Sequence, residues 1–128
     1  MTTTLITGAN KGLGFETARR LVAAGHTVWV GSRDAERGRR AAERLGARFV
    51  LLDVTDDASV AAAVRAVEAE GGLDVLVNNA GIEGRTADNG IVGAGEVTAE
   101  HMRTLFETNV FGLVRVTHAF LPLLRRSA

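Results

Sequence analysis

The feature that most constrains the fold is a glycine-rich turn near the N-terminus. Residues 7–14 read Thr-Gly-Ala-Asn-Lys-Gly-Leu-Gly, directly after a short apolar run that predicts a strand. Residues 15–24 have the apolar spacing of a helix. A strand, a glycine turn and a helix in this order bring backbone N–H groups to the positive end of a helix dipole, which favours phosphate binding. Glycines also serve ordinary turns, so the turn alone leaves that interpretation open.

Composition limits the class of protein. The chain has 128 residues, 46% of them hydrophobic, which is typical of one folded domain. Its formal net charge is zero, so we expect no nucleic-acid or membrane partner. No apolar run approaches the roughly 18 residues that span a bilayer. The N-terminus does not resemble a signal peptide and cysteine is absent, so we expect a cytoplasmic protein without disulfides.

The histidines give no sign of a metal site. His26, His101 and His118 are widely separated, and no cysteine is available as a further ligand. We therefore expect each histidine to be a surface or helix-capping residue, and no bound metal.

The rest of the chain alternates between strands and helices. Apolar runs predict strands over residues 27–31, 48–53 and 73–77, and helical spacing predicts helices over 35–45 and from 56 or 57 to about 70. This order predicts an α/β domain with a Rossmann-like, doubly wound parallel sheet of about four strands in the order 3-2-1-4. Its ligand crevice would lie at the carboxyl ends of strands one and four. The fourth strand is mostly apolar, which predicts burial on both of its faces.

The C-terminal third predicts a loop and one long final helix. Residues 81–95 are rich in Gly, with Thr, Asp and Asn among them, and predict a loop, after which Thr98 would cap the helix. Pro122 should kink or loosen its last turn. The predicted apolar stripe of this helix comprises Met102, Leu105, Phe106, Asn109, Val110, Leu113, Thr117, Phe120, Leu121 and Leu124.

Four separated segments together resemble the N-terminal half of the short-chain dehydrogenase/reductase family, from Thr4 to about Arg126. They are Thr7-Gly8-x-x-x-Gly12-x-Gly14, Leu52-Asp53-Val54, Asn78-Asn79-Ala80-Gly81 and Thr108-Asn109-Val110-Phe111-Gly112. The first is also similar to the carbonyl-reductase-like branch. The resemblance implies that residues 1–128 form one dinucleotide-binding domain, which we expect to be a truncated part of an enzyme about twice as long.

The resemblance also implies a set of cofactor-binding residues. Asp53 would accept a hydrogen bond from the adenine amino group, with Val54 beside the ring; alternatively Asp53 is a plain turn carboxylate. The segment from Asn78 to Gly81 would shape the crevice, a role compatible with an Asx turn. The full predicted set is Gly8, Asn10, Lys11, Gly12, Leu13, Gly14, Ser32, Arg33, Asp53, Val54, Asn79, Ala80 and Gly81.

Charge near the second strand bears on the choice of cofactor. Members that use NAD place an acidic residue at the end of that strand, where this chain has Ser32 followed by Arg33. Lys11, in the glycine turn, could reach the same ribose. Two cations at one point suit a 2′-phosphate, so we expect NADP(H) in preference to NAD(H). Asp34 is a countercharge with which Arg33 could pair instead.

The catalytic set that the resemblance implies is incomplete. It requires a Ser, a Tyr as general acid/base and a Lys that lowers the pKa of that Tyr. This chain has no Tyr, and its only Lys is Lys11, in the glycine turn. Asn109 is the one member that matches; in a complete enzyme it would help position the Lys, and alternatively it is a polar break in a helix face. We therefore expect no dehydrogenase activity from the 128 residues alone.

Three functions remain open at this point. The first is part of an NADP-dependent oxidoreductase acting on a small-molecule carbonyl or alcohol. The second is a non-catalytic NADP(H)-binding sensor or interaction module; an in-frame Tyr-x-x-x-Lys after Ala128 would favour the first. The third is an unrelated Rossmann-like enzyme such as a methyltransferase, against which Asn109 and the segment from Asn78 to Gly81 argue. A P-loop is excluded because Lys11-Gly12 has the wrong order.

We also expect self-association. The fourth strand would be a sheet edge with unpaired backbone groups, and the apolar stripe of the final helix would lack a cover. The resemblance places that helix at a subunit interface. A homodimer or higher assembly through either surface, or through both, is the expectation.

Overall fold

The fold is that of the predicted α/β domain. A computed structural model describes residues 1–82, 90 and 93–127. The strands are β1 (Thr3–Ile6), β2 (Thr27–Ser32), β3 (Arg48–Leu51) and β4 (Val75–Val77), and the first three helices are α1 (Gly12–Ala23), α2 (Ala35–Leu45) and α3 (Asp57–Ala69). The C-terminal helical region comprises α4 (Ala99–Phe106), a π-helical segment (Glu107–Gly112) and α5 (Leu113–Arg126).

The sheet confirms the predicted strand order. All pairings are parallel and the order is β3-β2-β1-β4. Leu5 of β1 lies opposite Trp29 of β2 on one side and Leu76 of β4 on the other. The carboxyl ends of β1 and β4 are therefore neighbours. In a doubly wound sheet the strand order reverses at this point, and a crevice lies there.

Two apolar cores lie on the two faces of the sheet. One includes Leu5, Trp29 and Val50 from the strands and extends to α3 and α5 through Val60 and Phe120. The other is lined by Ile6, Val28 and Val30, with Ala18 of α1 and Ala41 of α2 packed against them. Alternate residues of one strand thus serve opposite cores, because side chains alternate across a strand.

The prediction that β4 is buried on both faces is wrong. Val75 is 39% exposed, and Leu76 and Val77 are only partly buried. In the described part of the chain β4 pairs with β1 alone, so one edge of the strand has no neighbour. Its apolar sequence fits the interior of a larger sheet, whereas its position here is an edge.

The exposure of much of the predicted stripe on the final helix agrees with the expectation that it lacks a cover, but the helix also buries two residues outside the stripe. The buried residues of α5 are Val116, Phe120 and Leu123, and of the predicted stripe only Phe120 is among them. Met102, Phe106, Val110 and Leu113 are exposed. The π-helical segment accounts for the difference, since i→i+5 bonding adds a residue to a turn and rotates α5 relative to α4.

The ends of this region agree more closely with the sequence. Thr98 caps α4 as predicted, accepting a hydrogen bond from the His101 N–H at 3.2 Å. Pro122 lies inside α5, which continues to Arg126. The middle of the loop predicted for residues 81–95 lies outside the described residues.

Asp74 forms hydrogen bonds at the end of the sheet that lies opposite the crevice. Its carboxylate accepts hydrogen bonds from the Thr3 N–H at 2.8 Å and from the Ser127 hydroxyl at 2.6 Å. The hydrogen bond from Ser127 lowers the pKa of Asp74 below its ordinary value, and the bond from Thr3 contributes next. One carboxylate thus joins β1, the start of β4 and the residue after α5.

The sign of this pKa shift predicts a pH-dependent effect on stability. A carboxyl with a lowered pKa in the folded state stabilises that state above its unfolded value, about 3.9, and loses the contribution as pH falls through the folded value. Asp74→Ala should therefore lower the free energy of unfolding at pH 7, and the difference from the wild type should shrink in acid. Urea unfolding followed by fluorescence of Trp29, the only tryptophan, measures both.

The exposed Glu43 of α2 provides a control, because Glu43→Ala removes one negative charge without touching these contacts. A stability difference for Asp74→Ala that stayed constant from pH 7 to pH 3 would contradict the assignment.

Candidate cofactor-binding site

The crevice is closed at its base by hydrogen bonds between the ends of β1 and β4. The Thr7 hydroxyl oxygen accepts from the N–H groups of Asn79 at 3.0 Å and of Ala80 at 2.9 Å. The Thr7 N–H donates to the Val77 carbonyl at 3.1 Å. Thr7 is 2% exposed, so these bonds lie away from water. They hold the glycine turn against the segment after β4.

The side chain of Asn79 adds a second set of bonds to the same turn. Its amide nitrogen donates to the carbonyls of Thr7 and Gly8, both at 3.1 Å. The predicted role of Asn79 as a residue that bonds neighbouring backbone fits this geometry. The next residue, Ala80, packs directly against Gly8.

Two of the predicted glycines are required by close approach. A Cβ atom on Gly14 would lie 2.4 Å from the Asn79 amide nitrogen, and one on Gly8 would lie 2.9 Å from the Ala80 Cα. Gly8 also has a φ of +62°, which disfavours other residues. Gly12 differs: its φ is +61°, but no atom would meet an added Cβ, so its surroundings are open.

The N-terminus of α1 is built differently from those of α2, α3 and α4. Those three are capped by the side chains of Asp34, Asp56 and Thr98, and each has an acidic residue in its first turn. Lys11, the N-cap of α1, provides no side-chain cap, and the first turn of α1 contains no acidic residue. The first N–H groups of a helix have no intrahelical partner. Those of α1 are therefore left without a side-chain acceptor, as an anionic ligand would require.

Lys11 and Leu13 are both exposed at this N-terminus. The nearest acid on α1, Glu16, pairs with Arg19 and Arg20, further along the helix. The hydrogen bond from Arg19, above all, lowers the pKa of Glu16 to about 2. Its charge is thus matched by arginines later in the helix, and Lys11 faces no ion-pair partner in the described part of the chain.

Ser32 lies at the end of β2 and is buried, with 2% of its surface exposed. Its hydroxyl lies 3.2 Å from the Asn10 side-chain oxygen and 3.1 Å from the Asp34 carbonyl, and it accepts from the Asp34 N–H at 3.1 Å. Asn10 and Ser32, both predicted to bind cofactor, therefore contact each other. Their bond joins the glycine turn to the loop after β2.

Arg33 projects from that loop and is exposed. The alternative that it pairs with Asp34 is not what the structure shows. Asp34 instead caps α2, accepting from the Arg37 N–H at 3.0 Å, and pairs with the Arg37 guanidinium at 3.6 Å. Over residues 1–82 and 93–127, no ion pair engages Arg33.

Asp53 comes after β3, and one of its oxygens forms a turn. Oδ1 accepts from the N–H of Thr55 at 3.0 Å and from its hydroxyl at 2.7 Å. The Thr55 hydroxyl, then the Thr55 N–H and the nearby charge of Arg33 lower the pKa of Asp53, so the group is an acceptor-only carboxylate at neutral pH. Through Oδ1, Asp53 therefore acts as the turn carboxylate that the sequence left open as the alternative. Oδ2 makes no hydrogen bond to the described residues.

Asn109 lies in the π-helical segment and holds the chain after β4. Its Oδ1 accepts from the Ile82 N–H at 2.8 Å, and its Nδ2 donates to the Ile82 carbonyl at 2.7 Å. Gly81 passes close by, since an added Cβ there would lie 3.3 Å from Asn109 Oδ1. The oxygen and the nitrogen of this side chain thus each bond the Ile82 backbone.

Sequence reasoning missed three residues that shape the site. The Thr7 hydroxyl organises the crevice base, a role that its place in the glycine motif does not reveal. Gly112 allows Val54 to pack on the π-helical segment, because an added Cβ would lie 2.8 Å from Val54 Cγ2. Arg115 bonds the Val54 carbonyl at 2.7 Å. The glycine shortly after Asn109 could have indicated a close approach, whereas a lone arginine on a helix carries no such signal.

The histidines agree with the expectation of capping and surface roles. The His101 ring nitrogen accepts from the Thr98 N–H at 3.2 Å, His26 Nδ1 lies 3.0 Å from the Thr4 hydroxyl, and His118 is exposed. No group of three potential metal ligands exists among the residues that the structure describes. Within the same residues, no helix has the length and apolar character needed to cross a membrane.

Comparison with known proteins identifies the family. The family model described as short chain dehydrogenase matches residues 2–128. The short-chain dehydrogenase anuI of Penicillium roqueforti is 40% identical over 131 residues, which cover 96% of this chain and 50% of that protein. The (+)-neomenthol dehydrogenase of Capsicum annuum is 32% identical over 162 residues, with 96% and 52% covered. The chain therefore belongs to the short-chain dehydrogenase/reductase family.

A solved structure extends the likeness to three dimensions. The 3-ketoacyl-(acyl-carrier-protein) reductase from Brucella melitensis, crystallised with NADH, superposes with a TM-score of 0.86 at 32% identity. The superposition covers 98% of this chain and 50% of that one. The chain thus spans about half the length of the relatives it matches.

The bonds at the crevice base predict the effect of one isosteric substitution. Thr7→Val removes the oxygen that two buried N–H groups require and should lower the free energy of unfolding by about 1–3 kcal/mol. Thr7→Ser retains the oxygen and should lower the free energy of unfolding by clearly less. Urea unfolding followed by Trp29 fluorescence measures both variants. No loss for Thr7→Val, together with a loss for Thr7→Ser, would show that the methyl packing of Thr7 matters and its hydroxyl does not.

Proposed function

We propose that this chain is the nucleotide-binding part of an NADP(H)-dependent oxidoreductase that reduces a carbonyl or oxidises an alcohol. The observation that carries the proposal is the N-terminus of α1, which has neither a side-chain cap nor an acidic residue, unlike α2, α3 and α4. It lies at the end of β1, beside the crevice. Such an N-terminus suits the pyrophosphate of a dinucleotide.

The residues present fit the adenosine half of the cofactor. The backbone of Gly12, Leu13 and Gly14 would hold the pyrophosphate, and Asp53 Oδ2 would accept from the adenine amino group. When bound, the dinucleotide would donate a hydride to a carbonyl or accept one from an alcohol. The protein residues bind it, orient it and keep the turn in place through Thr7 and Asn79.

The preference for NADP(H) rests on charge. Lys11 and Arg33 are both exposed and unengaged in ion pairs within the described chain, and Ser32 stands where an acidic residue would hold a ribose 2′-hydroxyl. Both cations favour a 2′-phosphate. The relative solved with NADH establishes nicotinamide cofactor binding in that protein, and the two cations are what favours the phosphorylated form here.

The 128 residues are proposed to bind cofactor without catalysing turnover. Proton transfer in this family needs a Tyr, and the chain has none. Asn109 alone matches the catalytic set, and its side chain is engaged with Ile82. The same lack of Tyr favours the second candidate, a non-catalytic NADP(H)-binding sensor or interaction module.

A homodimer or higher assembly is part of the proposal. Large apolar side chains are exposed along α4, the π-helical segment and the start of α5, among them Phe106 at 45%, Phe111 at 53% and Val114 at 58%. Phe106 and Phe111 meet edge to face and border an open apolar depression of about 480 Å³. We name Phe106, Phe111 and Val114 the apolar face, and propose a second copy of this chain as its partner.

Arg33 provides the test of cofactor choice. Arg33→Ala should weaken NADPH binding by about tenfold or more, the value of a charge-assisted hydrogen bond to phosphate, and leave NADH binding nearly unchanged. Calorimetric titration of the wild type and the variant with each cofactor measures this. The wild type itself should bind NADPH more tightly than NADH.

Arg40 of α2 is a matched control because it is exposed and paired with Glu36 at 2.9 Å. Arg40→Ala removes the same charge from the same helix region and should leave both affinities unchanged. Equal loss of NADPH and NADH affinity in Arg33→Ala would refute the 2′-phosphate assignment. No binding of either cofactor by the wild type would refute the proposed function.

The apolar face yields a prediction about assembly. Phe111→Glu places a charge on it and should shift sedimentation toward the monomer, because burying an unpaired carboxylate is costly. Leu51→Glu is the control: Leu51 is 49% exposed on β3, at the other edge of the sheet. A wild type that sediments as a monomer throughout would exclude the assembly, and equal effects of both variants would exclude this face.

A further inference from the structure

Arg115 joins three separate segments of the chain. Its Nη1 donates to the Val54 carbonyl at 2.7 Å, its Nε to Asp57 Oδ1 at 2.7 Å and its Nη2 to Glu107 Oε1 at 3.0 Å. These partners lie after β3, at the start of α3 and at the start of the π-helical segment. The Arg115 side chain is 22% exposed, so water competes with these bonds less than at an open surface.

One end of this cluster is the candidate adenine site. Val54 comes directly after Asp53, whose Oδ2 is free for an adenine amino group, and Val54 is 7% exposed. Besides the bond from Arg115, Val54 packs against Gly112, where an added Cβ would lie 2.8 Å from Val54 Cγ2. The position of the adenine-binding turn is therefore set from the π-helical segment and α5 as well as from β3.

The other end of the cluster is Asn109. Glu107 begins the π-helical segment, two residues before Asn109, which bonds both backbone groups of Ile82. Hydrogen bonds thus run from Val54 through Arg115 to Glu107, the backbone continues from there to Asn109, and Asn109 bonds the chain after β4. This route joins the adenine end of the crevice to the one residue that matches the catalytic set.

We propose that Arg115 is a positioning residue that couples nucleotide binding at Asp53 and Val54 to the placement of Asn109 and Ile82. The proposal rests on the proposed function, because it needs an adenine nucleotide at this site. A ligand that orders Val54 fixes its carbonyl, which holds Arg115 and, through Glu107, the π-helical segment. Arg115 itself does not touch the nucleotide.

Hydrogen exchange resolved by residue tests the coupling. The probe is 2′,5′-ADP, which contains the adenosine half without nicotinamide, with ADP as a second probe that does not need 2′-phosphate recognition. In the wild type, saturating probe should slow exchange of the Ile82 N–H and of residues 107–112 severalfold. In Arg115→Met the probe should bind about tenfold more weakly, and saturation should no longer slow exchange at these positions. Arg115→Lys should recover part of the effect.

Two further variants separate coupling from loss of structure. Arg126→Met is the control, because Arg126 also links α5 to α3, through Glu68 at 2.9 Å, and should leave the response unchanged. Glu107→Gln keeps the bonds of Arg115 to Val54 and Asp57 but weakens the link to the π-helical segment. It should bind probe normally and lose the slowing at Ile82, so the test holds even where Arg115→Met does not fold.

The outcomes are distinguishable from those of the proposed function. Binding of a probe by the wild type without slower exchange at Ile82 would overturn the coupling and leave the proposed function intact. Undiminished slowing in Glu107→Gln would overturn it as well. Failure of the wild type to bind either probe would overturn the proposed function and, with it, this inference.

Discussion

The contact between the glycine turn and the end of β4 is the constraint on which the rest of the site depends. Two backbone segments meet there with no room for side chains, since a Cβ on Gly14 would lie 2.4 Å from the Asn79 amide nitrogen. Thr7 and Asn79 supply the hydrogen bonds that make this approach favourable. Because α1 begins directly after the turn, the same contact sets where its uncapped N-terminus points. Phosphate binding in this fold is therefore a consequence of how two strands end.

The strand order could be predicted from sequence because alternation and short connections leave few right-handed arrangements. The π-helical segment could not, since its residues have ordinary helical spacing and the choice of i→i+5 bonding is tertiary. It coincides with the bonds from Asn109 to Ile82 and from Glu107 to Arg115, and with the packing of Gly112 on Val54. The predicted burial of β4 was wrong for a related reason. An apolar pattern shows which faces of a strand suit a core, but it does not show whether a neighbouring strand covers its edge.

The candidate site shows the same division. The resemblance implied the glycines and Asn79 as site residues, and the structure adds a physical reason, because the positive φ of Gly8 and the close approach of Gly14 to Asn79 restrict the residue type. The roles of Ser32 and Asp53 needed coordinates, since each side chain also bonds its own neighbourhood. Ser32 is buried against Asn10 and Asp34 and supports the loop that carries Arg33. Asp53 uses one oxygen, Oδ1, to form a turn with Thr55, and Oδ2 makes no hydrogen bond to the described residues.

The groups proposed for nucleotide binding and the one that matches the catalytic set lie on separate elements of this chain. The groups that would hold adenosine and pyrophosphate come from the ends of β1, β2 and β3 and from the start of α1, all of them within the described residues. The reacting end is represented by Asn109 alone, whose two polar groups are committed to the Ile82 backbone. Those bonds hold the backbone beside the crevice in place, but they transfer no proton. On the proposed function, recognition of the cofactor would depend on the crevice that the described sheet forms, whereas the family's proton transfer would need a Tyr, which the 128 residues lack.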